Sequence, residues 1–407
     1  MSADDPNAPA TFPALDTMRA IAAIAVLATH ASFWGGAYAQ PVFGTALARL
    51  DIGVAIFFVL SGFLLARPFL SRHARGRPAP STGRYLWKRA LRILPVYVVA
   101  VVTALVLLPG NDGAGPTTWV KTLLLGNIYV DGGLPDGLTQ MWSLSTEVAF
   151  YLVLPVLMWV ALSRGRSGAA SASRVGTLVG VLVLVNMAWV LDLAARLDLE
   201  GATPALWLPS YLTWFSVGIV LAACGVHLDQ GGADGAGGWS RFAVAVREMG
   251  RLPGVCWTAG LAIFAIAATP IAGPSTLIAP TLGEALAKNL LYAAAAGLLI
   301  LPGIFADPGG RYVRVLSLPL LRHLGHISYG VFCMHLVILE LVARWLDLEL
   351  FRGRTLELFA VTLALSLLVA ELLYWLLERP AMRLKDLSRP GSRSTESSTP
   401  KATATRS

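Results

Sequence analysis

Three sets of ionisable side chains stand inside otherwise apolar runs of this sequence. The first run, LDTMRAIAAIAVLATHASFW, carries Asp16, Arg19 and His30. The second, YLWKRALRILPVY, carries Arg89 and Arg92 as an RxxR pair just before Pro95. The third, MWSLSTEVAFYLVLP, carries Glu147 with Ser143 and Tyr151 four residues to either side, and Trp142 near its start. Ionisable groups inside a membrane span are costly, so each is a candidate for function. Imidazole titrates near neutrality, which suits His30 to taking a proton from a hydroxyl and returning it. Guanidinium groups present rigid forks of donors that match phosphate oxygens, which suits two arginines one helical turn apart. A lone imidazole in a span is also satisfied by a neighbouring carbonyl, and arginines at a span's end are also ordinary loop-side charge. The residues alone leave these readings open.

Spacing gives the candidates a common frame. Arg19 and His30 are eleven residues apart, which on an ideal helix puts them on one face about 16 Å apart along the axis. Asp16 falls near the same stripe, one turn from Arg19, so the two either pair with each other or act separately. One helix thereby places a cation near one membrane surface and a titratable imidazole near the other. Glu147 lies about one turn into its run, at the depth expected for His30. That makes His30 and Glu147 a candidate base and orienter, the carboxylate fixing the imidazole tautomer. Ser143 and Tyr151 share the face of Glu147 and can bind either the carboxylate or a substrate.

The elements that must position these groups are membrane helices. Hydrophobic residues make up 56% of the 407 residues and charged residues only 14%. Mean hydropathy is +0.64. Soluble domains carry about a quarter charged residues, so the expected class is an all-α, polytopic membrane protein. Ten spans are expected, at 14–34, 51–70, 92–108, 143–162, 174–192, 205–224, 254–272, 285–305, 323–345 and 356–377. The net charge of +8 is spread over short loops between spans, which argues for membrane orientation rather than nucleic-acid binding. RPFLSRHARGRPAPSTGRYLWKR, after the second span, is the most basic loop and is expected to be cytoplasmic, with both termini on the same side. TWVKTLLLGNIYV (118–130) is too short to cross and is expected at the outer surface. Residues 1–13 read as a cytoplasmic arm, 14–385 as one transmembrane domain and 386–407 as a disordered basic tail. Cys224, Cys256 and Cys333 lack metal-ligand spacing and read as core residues. No metal site is expected. GGADGAGG (231–238) reads as a linker, because it lacks the strand-to-helix context of a phosphate loop.

Six motifs then occur in order. To the three runs above are added GVAIFFVLSGFLL (53–65), LGHISYGVFCMHLVIL (324–339) and LLERP (376–380). In that order they resemble the membrane acyltransferase-3 family, over about residues 13–385. The chain departs from the usual family pattern with Thr17 and Met18, where Gly and Leu are common. The resemblance implies a ten-helix core that moves an acyl group, expected to be acetyl, from cytoplasmic acyl-CoA to an acceptor hydroxyl. Acceptors of the family are sugars, surface polysaccharides, lipid-linked glycans, peptidoglycan and macrolides.

The resemblance also assigns roles. His30 looks like the family's essential histidine and is expected to be the general base, supported by Glu147. Arg89 and Arg92, with Arg19, are expected to hold CoA phosphates at the inner face. Trp142 is expected at the interface or lining the acceptor mouth. His335, mid-span in the ninth helix, resembles a recurring family position and reads equally as channel lining or core. His73, His227, His323 and His326 lie in loops or at helix ends and are expected to have no catalytic role. Ser61 and Gly62, with Ala20, Ala22 and Ala23, read as small residues that let helices pack closely. Direct attack of the hydroxyl on the thioester is favoured over an acyl-histidine. An exporter of a glycan or lipid is the alternative function, since midplane charges also mark transport sites. A non-catalytic membrane scaffold is a third reading, and it leaves a His, a Glu and an Arg pair at matched depths without explanation.

Overall fold

The computed structural model describes residues 11–386 except 131–132, 164–168, 198, 236 and 276–277. Among the described residues every regular element is helical. The long helices are α1 (Pro13–Trp34), α2 (Ile52–Ala74), α3 (Thr82–Leu107), α4 (Met141–Leu162), α5 (Ala169–Ala188), α6 (Leu212–Asp229), α7 (Gly238–Gly250), α8 (Pro253–Ala267), α9 (Leu282–Phe305), α10 (Pro319–Trp345) and α11 (Thr355–Leu373). Among the described residues, nine helical segments are long and apolar enough to cross a bilayer; the α7–α8 pair, bent by 92°, makes a tenth. Lipid supplies no hydrogen bonds, so a chain this apolar must satisfy its backbone within helices.

Local sequence explains where the expected spans shift. Pro253 opens α8 as its first residue. A proline there loses no needed donor, but it pushes the preceding residue out of the helical region. The chain therefore breaks at Leu252, and the expected seventh span becomes a 15-residue helix, α8, preceded by the angled α7. The expected sixth span begins late, at Leu212, because Pro204–Leu206 and Leu208–Tyr211 form separate tight turns before it. The 118–130 segment forms two short helices, Pro116–Leu123 and Asn127–Val130, neither long enough to cross. The expected tail lies outside the described residues from 387 onward, as do residues 1–10 of the expected arm.

Helices α1, α2, α6 and α10 form the centre, with α1 packed on α10 and α2, and α2 on α6. Small residues set these approaches. A Cβ on Gly62 would stand 2.2 Å from the Phe215 carbonyl oxygen, and one on Gly218 2.1 Å from that of Val59. A Cβ on Gly325 would stand 2.0 Å from the Asp16 carbonyl oxygen. Only glycine permits such backbone contact, which is how membrane helices gain packing without a hydrophobic drive between them. Ala20, Ala22 and Ala23 are likewise buried. Burial is uneven: 83% of the apolar stretch of α10 is buried, against 11% for α5 with its extension. Polar groups on α10 therefore face protein, where partners are available.

Candidate active site

Two cavities open in this centre. The first, of about 320 Å³, is lined by Arg19, Arg89, Arg92, Ser61, Glu147 and Tyr151, among others. The second, of about 330 Å³, is lined by His30, Tyr38, Asp51, Gln140, Trp142 and Lys288, among others. Val54 and Phe332 line both. Arg19 lies near the start of α1 and His30 near its end, so the cavities serve opposite ends of the bundle.

In the arginine cavity most charges are already answered. Arg19 Nη1 lies 3.1 Å from Asp16 Oδ1, so these two pair. The other Asp16 oxygen lies 3.5 Å from both Arg322 Nε and His326 Nε2. Arg92 Nη1 lies 2.7 Å from Glu378 Oε2, and its Nη2 donates to the His326 carbonyl at 3.3 Å. Glu378 is wholly buried. Arg89 differs: it makes no ion pair among the described residues, and its Nε is buried without a hydrogen-bond partner. The RxxR pair is thus divided into one arginine paired with a buried carboxylate and one that makes no ion pair among the described residues. Glu147 Oε1 accepts hydrogen bonds from Ser61 Oγ and from Tyr151 OH, the latter at 2.7 Å.

In the histidine cavity a tautomer is set by geometry. His335 is fully buried, and its Nδ1 lies 2.7 Å from the Phe332 carbonyl oxygen. A carbonyl only accepts, so Nδ1 carries the proton and Nε2 carries a lone pair. That Nε2 lies 3.1 Å from His30 Nδ1, which is also 2.8 Å from the Val26 carbonyl oxygen. Both neighbours accept, so His30 Nδ1 is the protonated nitrogen. His30 Nε2 is left with its lone pair and no hydrogen-bond partner among the described residues. This is the arrangement of a general base held by a second group.

The structure does not bring His30 and Glu147 together: His30 Nδ1 meets His335 Nε2, and Glu147 is held toward the arginine cavity by Ser61 and Tyr151. The reason is facing: Glu147 lies on the face of α4 that meets Ser61 of α2, and so lines the cavity of Arg19 and not that of His30. Ser143 lines the arginine cavity, yet its hydroxyl donates to its own helix at the Gln140 carbonyl. Of the two neighbours of Glu147, only Tyr151 reaches the carboxylate. Trp142 lines the histidine cavity with its ring 5.1 Å from that of Tyr211. His326, for which no catalytic role is expected, lines the arginine cavity.

Several site residues escaped the sequence reading. Ser61 was expected only to pack, and Glu378 lies in the LLERP run with no role attached to it. Gln140 donates its amide to the Phe332 and Cys333 carbonyls. Arg49 is buried and donates to the carbonyls of Ala267, Ala272 and Gly273, tying the loop after α8 over the histidine cavity. Asp51 pairs with Lys288 at 2.6 Å. Burial pushes the Tyr38 phenol up to about 12, so it stays a protonated donor, bonded to Thr29. Arg49 and Asp51 stand in the tight turn that leads into α2, where charge at the end of an apolar run is ordinary and carries no signal of its own. Among the described residues no group of three His, Cys, Asp or Glu side chains could hold a metal. The three cysteines are free and buried.

Comparison with known proteins bears on what this arrangement does. A family model described as an acyltransferase domain matches residues 12–375. The chain is similar to acyltransferase MdmB of Streptomyces mycarofaciens, at 28% identity over 93% of this chain and 94% of that protein. It is 33% identical to peptidoglycan O-acetyltransferase OatA of Listeria monocytogenes over 37% of this chain, but that match covers only 24% of the relative's length. It is 28% identical to nodulation protein 10 of Rhizobium leguminosarum bv. viciae, over 38% of this chain and 46% of the relative. No solved structure matches.

Proposed function

Because this chain belongs to the acyltransferase-3 family and is a multi-pass membrane enzyme that transfers acyl groups, we propose that it moves an acyl group from acyl-CoA to an acceptor hydroxyl across its two cavities. The acyl group is proposed to be acetyl, as the name of the peptidoglycan O-acetyltransferase relative suggests. The arginine cavity takes the charged nucleotide end of the donor and faces the cytoplasm, on the side of the basic loops. The histidine cavity takes the acceptor, a carbohydrate or a glycosylated or lipid-linked hydroxyl compound. The flat face of Trp142 suits the C–H face of a sugar ring, and Asp51, Lys288 and Tyr38 supply polar partners beside it.

The reaction follows from the tautomer. His30 Nε2 takes the proton of the acceptor hydroxyl as its oxygen attacks the thioester carbonyl carbon. The tetrahedral intermediate collapses with cleavage of the C–S bond, and the imidazolium gives its proton to the departing thiolate. An ester and free CoA result. His335 accepts from His30 Nδ1 throughout and stabilises the imidazolium between the two transfers. Glu147 tunes the charge of the donor cavity instead of orienting the base.

One observation carries this reading: His30 Nε2, without a hydrogen-bond partner among the described residues, belongs to a residue lining a cavity that shares a wall with one lined by three arginines. The test uses purified protein in lipid nanodiscs with acetyl-CoA and a panel of soluble sugars. Release of CoA thiol should rise with a competent acceptor. His30→Ala should lower it by about 10²- to 10⁴-fold, with CoA affinity unchanged. Wild-type turnover in that variant would overturn the assignment. Cysteines placed at positions 75 and 112 should be labelled from opposite membrane faces, 75 from the cytoplasm; the reverse pattern would invert the donor and acceptor sides.

A further inference from the structure

Val54 of α2 and Phe332 of α10 are the residues that both cavities share. Each is only 7% exposed, and because each lines both cavities the two stand in the wall between them. On the arginine side the Phe332 ring meets Phe57 edge-on, with centroids 5.9 Å apart, and Phe57 lines that cavity. On the histidine side the same ring stands 6.0 Å from that of His335. The catalytic histidine pair is held by the Phe332 carbonyl, not by its ring. The ring is therefore free to serve another purpose. Resting on the acyl-transfer reading above, the donor enters among the arginines while the base waits on the far side. Arg19 and His30, one on each side, are separated by about 16 Å of helix.

We propose that Phe332, with Val54, is the gate between the two cavities and the residue that selects which acyl groups reach His30. The thioester carbonyl must come past this wall to meet the acceptor hydroxyl. A short acyl group passes once the ring turns aside, whereas each added methylene must find room between Phe332 and Val54. The closed ring also keeps water of the donor side from His30 when no acyl group is present. The specificity is steric and apolar, of the kind in which one methylene changes discrimination by about 10- to 200-fold.

The test compares Phe332→Ala, Phe332→Trp and Val54→Phe in nanodiscs. It uses acetyl-, butyryl- and hexanoyl-CoA as donors and binding of free CoA as the independent measure of the donor cavity. Phe332→Ala should raise the ratio of hexanoyl to acetyl kcat/KM at least tenfold. Phe332→Trp and Val54→Phe, which narrow the wall from opposite helices, should lower acetyl transfer at least tenfold while free CoA binds as in the wild type. An unchanged chain-length ratio in Phe332→Ala, or full acetyl transfer in both narrowed variants, overturns the gate. If Phe332→Ala does not fold, as judged by thermal unfolding, Val54→Ala replaces it and must move the ratio in the same direction. A wild-type protein that neither binds CoA nor releases its thiol would instead sink the acyl-transfer reading, so the two failures are distinct.

Discussion

The two cavities are nearly equal in volume, about 320 and 330 Å³, and differ in how they hold their charged or titratable groups. In the arginine cavity, side chains answer side chains: Asp16 holds Arg19 and Glu378 holds Arg92. In the histidine cavity, backbone fixes the imidazoles, through the carbonyls of Val26 and Phe332, beside the one side-chain pair of Asp51 and Lys288. Side-chain pairs tolerate small movements, and the arginine without an ion pair among the described residues, Arg89, leaves that cavity able to attract an anion. Carbonyl-fixed rings give a site that is directional. Donor binding should therefore depend on salt, while the chemical step should depend on the placement of a few atoms.

The sharpest way to break this contrast is through His335. Its replacement by Ala removes one of the two acceptors of His30 Nδ1–H, leaving the Val26 carbonyl, and does not touch the lining of the arginine cavity. We expect kcat to fall by about 10- to 100-fold, in line with the loss of a group that orients and stabilises a catalytic imidazole. The KM for acyl-CoA should stay within about twofold. His335→Gln, which can still present an acceptor oxygen, should recover part of the rate. Steady-state kinetics with varied acyl-CoA would show it, and a rise in KM with unchanged kcat would place His335 on the donor side.

Arg89 and Arg92 split the donor cavity itself. Arg89 has no ion-pair partner among the described residues, so Arg89→Ala should raise the KM for acyl-CoA. The loss is that of one charge-assisted contact, about 1.5–3 kcal/mol or at least tenfold. Arg89→Lys should recover only part, because an ammonium makes no bidentate contact. Arg92→Ala should act on stability first, because it strands the buried Glu378. Removing one partner of a buried pair costs about 3–5 kcal/mol. The double variant Arg92→Ala, Glu378→Gln should regain much of that in thermal unfolding. Equal effects of Arg89→Ala, Arg92→Ala and the exposed Arg84→Ala on KM would show a diffuse basic surface instead.

How much of this was legible beforehand follows from the physics of each feature. Membrane helices announce themselves by composition, and nine of the ten expected spans appear as long helices. The exception turned on one residue, Pro253, whose effect on Leu252 outweighs the apolar run around it. His30, Arg19 and Arg89 were legible because charge in an apolar run is rare. Which partner each would find was not. Depth along an axis places Glu147 near His30, but facing around the axis is decided by how α4 packs on α2, and one hydroxyl, Ser61, captures the carboxylate. The division of the RxxR pair was hidden for the same reason. Both arginines share one face of α3, and only the tertiary structure brings Glu378, nearly three hundred residues later, to one of them.

Glu147 gives the smallest and most discriminating test. Ser61 and Tyr151 both donate to its Oε1. Gln at this position can keep that oxygen and both hydrogen bonds while losing only the negative charge. If Glu147 belongs to the donor cavity, Glu147→Gln makes that cavity more positive. Acyl-CoA, with its phosphates, should then bind slightly tighter. A charge effect of about 1 kcal/mol in a partly solvated site corresponds to about a fivefold drop in KM. The gain should shrink as salt is raised from 50 to 500 mM, values chosen to shorten the screening length from roughly 14 Å to about 4 Å. The chemical step, proposed to be run by His30 and His335, should change little. A collapse of kcat by about a hundredfold or more, with KM unmoved and no salt dependence, would return Glu147 to the base. It would then follow that donor binding rotates Glu147 away from Ser61 and toward His30, and that the contrast between the two cavities holds only before the donor arrives.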